Sequence, residues 1–104
     1  MIWNDPFYLG KNCFRTYKMV KRRITDGLIH PGVFLLTLPR DGHGVLEIVP
    51  SLLLLQDSYP TDSLRIVGMA ATRREALSMV EQIVTDTVLA RGDADVPAFM
   101  CGCE

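Results

Sequence analysis

The segment from Thr72 to Gly92 constrains this chain more than any other. Thr72-Arg73-Arg74-Glu75 has the form of a capping box. In such a box the threonine hydroxyl and the glutamate carboxylate each take up a backbone N–H left open in the first helical turn. Gly92 supplies a C-terminal stop. Between them the spacing predicts a helix to about Ala90, with Ala76, Leu77, Val80, Ile83, Val84, Thr87 and Val88 on its core face. Glu75, Gln82 and Asp86 fall on the outer side. A helix with one apolar stripe must cover another layer, so the rest of the chain has to provide that layer.

The preceding residues read as strands. Residues 33–39, VFLLTLP, form a continuous apolar run, the mark of a strand buried on both faces. RDGHG at 40–44 reads as a turn and VLEIV at 45–49 as a second strand, so the pair predicts a β-hairpin. SLLLLQDSYP at 51–60 has four leucines and little β-branching, which suits a short helix or a packed turn that Pro60 ends. LRIVGMA at 64–70 reads as a third strand and VPAFM at 96–100 as a short last one.

Toward the N-terminus, KNCFRTYKMVKRRITDG at 11–27 predicts a helix whose apolar face carries Cys13, Phe14, Tyr17, Val20 and Ile24, with Gly27 as its stop. Residues 1–10 read as an irregular lead with Trp3, Phe7 and Tyr8 available for packing. The expected order is α-β-β-(short α)-β-α-β, an α+β fold. It comprises a mixed sheet of about four strands, with two main helices covering a face. The last strand-helix-strand unit would be a right-handed crossover if its strands are parallel neighbours. The chain is expected to be a single globular domain over 1–104, with 101–104 a flexible tail. At 104 residues it can bury about 65% of its unfolded surface without staples.

Composition removes several function classes. Nearly half the residues are hydrophobic and the net charge is −1, so the chain is neither disordered nor a general polyanion coat. The N-terminus lacks the pattern of a signal peptide. Glu47 and Pro50 interrupt the longest apolar stretch, so no membrane span is expected. A cytoplasmic location with reduced thiols is therefore expected, since three cysteines are an odd number for a disulfide framework.

The tail raises a metal question. In Cys101-Gly102-Cys103 two thiolates can hold a soft ion, but a tetrahedral zinc site needs four ligands. Cys13, His30 and His43 are the distant candidates to complete it. A redox role would call for two residues between the thiols and a helix start, and neither is visible. Asp41-Gly42-His43-Gly44 has the composition of a hairpin loop facing water. No nucleophile elbow, glycine-rich phosphate loop or cofactor motif is present, and no catalytic site is evident.

Charge supplies the one patterned surface. Residues 1–30 hold six basic and two acidic residues, and the remainder holds five basic and ten acidic. On a helix over 11–27, Lys11, Arg15, Lys18 and Arg22 would line up as a basic stripe opposite the apolar face. Such a stripe is a solvated face, a contact for an acidic partner surface, or a phosphate contact. The sequence therefore points to a small binding or structural module that acts by self-association or by joining a protein partner. Nucleic-acid or anion binding by the basic stripe, and thiol-dependent metal binding by Cys101 and Cys103, are the alternatives.

Overall fold

The computed structural model describes residues 2–13, 15–28, 32–38, 46–55 and 64–101. In chain order these form strand β1 (Ile2–Leu9), a 3-10 turn (Lys11–Cys13), helix α1 (Tyr17–Thr25) and strands β2 (Phe34–Thr37) and β3 (Glu47–Pro50). A second 3-10 turn (Ser51–Leu55), strand β4 (Arg65–Ala70) and helices α2 (Arg73–Arg91) and α3 (Val96–Cys101) complete them. The fold is α+β, with a mixed four-stranded sheet ordered β1-β4-β2-β3. β4 pairs parallel with β1 and antiparallel with β2, and β2 pairs antiparallel with β3.

The hairpin, the leucine-rich short turn and the third strand of the sequence reading are present, although the hairpin loop at 40–44 and Pro60 lie outside the described residues. The two ends of the chain differ from expectation. The supposed irregular lead is β1. Its ends pair with β4 at Trp3↔Ile66 and Tyr8↔Gly68, so five steps on β1 match two on β4. The surplus residues bulge around Pro6, which has no N–H to give a ladder. Asn4, buried in that bulge, donates from Nδ2 to the Met100 carbonyl (3.1 Å) and accepts from Arg65 Nη1 (2.8 Å).

The expected last strand is α3. Asp95 caps it, its Oδ1 accepting the Ala98 N–H at 3.2 Å, and Pro97 sits in the first turn, where a missing N–H costs nothing. No strand follows α2 among the described residues, so the proposed final crossover does not form. The helix expected over 11–27 is also divided. A 3-10 turn occupies Lys11–Cys13 and α1 begins only at Tyr17.

The two main helices lie on opposite faces of the sheet, not on one. Leu35, Ile66 and Met69 pack with Cys13, Val20 and Ile24 beneath α1. Their strand neighbours Leu36, Val67 and Ala70 pack with Ala76 and Ile83 of α2 and with Val96 and Met100 of α3. Alternate strand residues point to opposite faces, so a strand apolar at every position needs cover on both. The β2–β4 register slips between Leu36↔Gly68 and Thr37↔Ile66, which leaves Val67 as a bulge and turns Gly68 to the α2 side. There a Cβ on Gly68 would lie 2.9 Å from Leu36 Cδ1 and 3.0 Å from the Tyr8 carbonyl oxygen, so only glycine fits unstrained.

Candidate functional site

Two surfaces stand out, one on each face of the sheet. The first is built on α1. Its C-terminal end is a Schellman motif: Gly27 takes φ +76° and donates to the Ile24 carbonyl (3.0 Å), while the Leu28 N–H reaches the Arg23 carbonyl (2.8 Å). Val20 and Ile24 anchor the helix to the sheet. Lys18 and Arg22 are exposed, Lys21 and Arg23 half-buried, and no carboxylate lies between Tyr17 and Thr25. Arg22 and Arg23 stand in the last turn, where the helix dipole favours cations.

A shallow groove of about 470 Å³ runs along this helix, lined by Tyr17, Lys18, Lys21, Arg22, Thr25 and Asp26. An aromatic cluster from β1 adjoins it. Trp3 and Phe7 have ring centroids 6.0 Å apart, and Phe7 and Tyr17 5.0 Å. The Lys21 ammonium sits over two of these rings, 5.5 Å from the Trp3 centroid and 5.8 Å from that of Tyr17.

The basic stripe is therefore divided. Lys18 and Arg22 share the α1 groove, and Lys21, absent from the expected stripe, joins them. Arg15 is exposed in the turn before α1. Lys11 belongs to a different groove of about 510 Å³, between the end of β1 and the start of α2, with Leu9, Thr72, Arg74, Glu75 and Gln82 among its walls. The capping box closes that end of α2: Thr72 Oγ1 accepts the Glu75 N–H (3.0 Å) and Glu75 Oε1 accepts the Ala71 N–H (2.8 Å).

The second surface is the flank of α2. Tyr8 donates to Asp86 Oδ2, and Gln82 Nε2 donates to Asp86 Oδ1 at 2.8 Å. These contacts turn the flank bearing Gln82 and Asp86 toward β1. Leu77, Val84 and Val88 then lie on the other flank, away from β1 and above the β2–β3 side. Leu77 is 50% exposed and Val88 44%, so neither belongs to the buried stripe expected for them. That stripe is Ala76, Ile83 and Thr87, with Met79, Val80 and Val84 half-buried beside it. Phe34 and Ile48 from the sheet, and Leu46 just before β3, are likewise only half-buried, packed against the same core cluster as this helix. Together they leave an apolar shelf.

Among the described residues only the Cys13 thiol is placed. Cys13 is buried under α1, and its thiol is pushed up by burial and, secondarily, by the charge of Glu75. Cys101 closes α3 on the other face of the sheet. Cys103, His30 and His43 lie outside the described residues. Among the described residues no cluster of three or more histidine, cysteine, aspartate or glutamate side chains is placed to hold a metal. No described helix is long and apolar enough to cross a membrane. No known protein family, curated protein or solved structure matches the chain.

Proposed function

We propose that the protein is a small interaction module that self-associates through the α2 shelf. The observation that carries this reading is the pair of exposed residues Leu77 and Val88, with half-buried Val84 between them on the same flank, beside half-buried Phe34, Leu46 and Ile48. Removing such surface from water is worth about 25 cal/mol per Å², and contiguous patches of this kind mark interaction sites more often than scattered leucines do. The row runs for about 16 Å along one straight helix, so two copies can lay it against itself about a twofold axis. Pairing through the β3 edge is the weaker route. That strand has four residues and carries Glu47 and Pro50 at its ends, features that blunt an edge.

The test is sedimentation of the wild-type chain and of the double variant Leu77→Asp, Val88→Asp. The wild type should exceed the monomer mass at concentrations on the order of 100 μM, where even a weak dimer assembles. The variant should be monomeric with an unchanged far-ultraviolet spectrum, because both side chains already face solvent. A monomeric wild type, or an oligomer indifferent to the two aspartates, refutes the proposal.

A further inference from the structure

The α1 groove lies on the opposite face of the sheet from the α2 shelf, so self-association would leave it open. We propose that this groove binds the backbone of a single-stranded nucleic acid. Lys18, Lys21 and Arg22 would meet the phosphates, and the rings of Trp3, Phe7 and Tyr17 would offer an adjoining surface for unpaired bases.

Three observations converge on that ligand. The first is charge density. Four of the nine residues of α1 are cationic, and Lys18 stands three and four positions before Lys21 and Arg22 on one flank of the helix. Like charges at these spacings repel by a few tenths of a kcal/mol per pair, and an anion bound between them reverses the sign. Asp26, at the end of the groove, is its one carboxylate lining residue among those described.

The second is the neighbouring aromatic surface. Trp3, Phe7 and Tyr17 are each half-buried, and Tyr17 lines the groove beside the cations. A cationic track joined to aromatic faces is the arrangement by which proteins hold single strands without reading their sequence, because every base has a face to stack. A duplex hides those faces, which favours the single strand over the double.

The third is the position of Lys21. Its ammonium sits over two rings and also lines the groove, so a phosphate entering the groove draws on a cation already held in place. Because Trp3 is the chain's only tryptophan, its emission reports directly on this site.

The test measures fluorescence anisotropy of a labelled ten-nucleotide oligothymidylate against the full chain. Arms with inorganic pyrophosphate and with vesicles of mixed phosphatidylserine and phosphatidylcholine run beside it. Three phosphate contacts predict a slope of log affinity against log salt of about −2, and the double variant Lys18→Ala, Arg22→Ala should flatten it to about −0.7. Affinity at low salt should fall on the order of tenfold in that variant. In the wild type, which needs no substitution to be informative, Trp3 emission should change saturably with the same midpoint as the anisotropy. Absence of oligonucleotide binding, binding that ignores both substitutions, silent Trp3 emission, or capture by vesicles without capture by the oligonucleotide each overturns the proposal.

Discussion

The Tyr8 hydroxyl donates a 2.6 Å hydrogen bond to Asp86 Oδ2, joining an edge strand to a helix 78 positions away in the chain. Bonds to a charged acceptor contribute about 1.5–3 kcal/mol when well shielded, and this one is partly buried. Tyr8→Phe should therefore cost about 1–2 kcal/mol in urea unfolding. Burial, the bond itself and the charge of Asp86, in that order, hold the phenol well above its ordinary 10.0. A group raised on folding stabilises fully below its unfolded value and loses that contribution as pH climbs toward the folded one. The wild-type advantage over Tyr8→Phe should thus be constant near neutrality and shrink as pH rises past 10.0. An advantage that grows above that pH would reverse the sign of the coupling.

Gly68→Ala tests the bulge beside Val67. An added methyl meets Leu36 Cδ1 and the Tyr8 carbonyl oxygen at about van der Waals overlap, and Leu36 is fully buried. Reduced freedom of the unfolded chain favours alanine by about 0.4–1 kcal/mol, whereas overpacking costs about 1–3 kcal/mol. The clash should win, with net destabilisation of roughly 1 kcal/mol by chemical denaturation. A stabilised variant would mean that the sheet yields at this point.

The rotation of α2 separates two substitutions six residues apart. Ile83→Ala empties a wholly buried position and should cost about 2–5 kcal/mol. Leu77→Ala, on the open flank, should change monomer stability by no more than about 0.5 kcal/mol. Thermal melts of dilute protein read both, and equal losses would place Leu77 in the core.

Burial and the charge of Glu75 both disfavour the Cys13 thiolate, the reactive form. With Cys101 and Cys103 changed to serine, the native chain should resist a disulfide reagent at neutral pH. It should react fully once unfolded in urea. Rapid labelling of the folded protein would show that α1 opens readily.

The junction with the tail should be sensitive although the tail is not. Met100 is 1% exposed, and its carbonyl accepts from Asn4. Met100→Ala should cost about 2–5 kcal/mol and Asn4→Ala about 1–3 kcal/mol. Truncation after Cys101 should alter the melting temperature little. A large drop on that truncation would revive a structural role for Cys103.

Much of this fold was legible in the sequence. Thr72, Glu75 and Gly92 bracket α2 as expected, and the apolar run in 64–70 marks β4. β1 was obscured because Asn4-Asp5-Pro6 carries turn chemistry in the middle of a strand, which survives by bulging while its two ends pair. In α3 the run Val96-Pro97-Ala98-Phe99-Met100 has strand-like residues and is too short to show a helical period. Asp95 ahead of Pro97 was the signal of a helix start. The rotation of α2 was hidden for another reason. Its apolar arc, from Ala76 round to Val88, is wide enough to admit several centres, and the packing that selects one, with the Tyr8–Asp86 bond beside it, comes from residues remote in sequence. The basic groove was half legible. Lys18 and Arg22 share it, but the stripe presumed a helix starting at Lys11, and the rings of Trp3 and Phe7 come from the strand that was missed.

The place of β4 in the sheet bears on how the molecule comes to exist. It bonds to both β1 and β2, yet it is the last of the four strands to be synthesised. Until it leaves the ribosome, β1 lacks its partner among the described strands, and Ile2, Trp3, Phe7 and Tyr8 emerge before it and wait unpaired. Only the β2–β3 hairpin can close early, since its partners are near in sequence. Joining Ile2 to Arg65 closes most of the chain in one step, the kind of non-local parallel pairing that slows folding. The newborn chain thus carries its aromatic-rich β1 unpaired until β4 emerges, which makes that strand the segment for a chaperone to shield and for aggregation to seize.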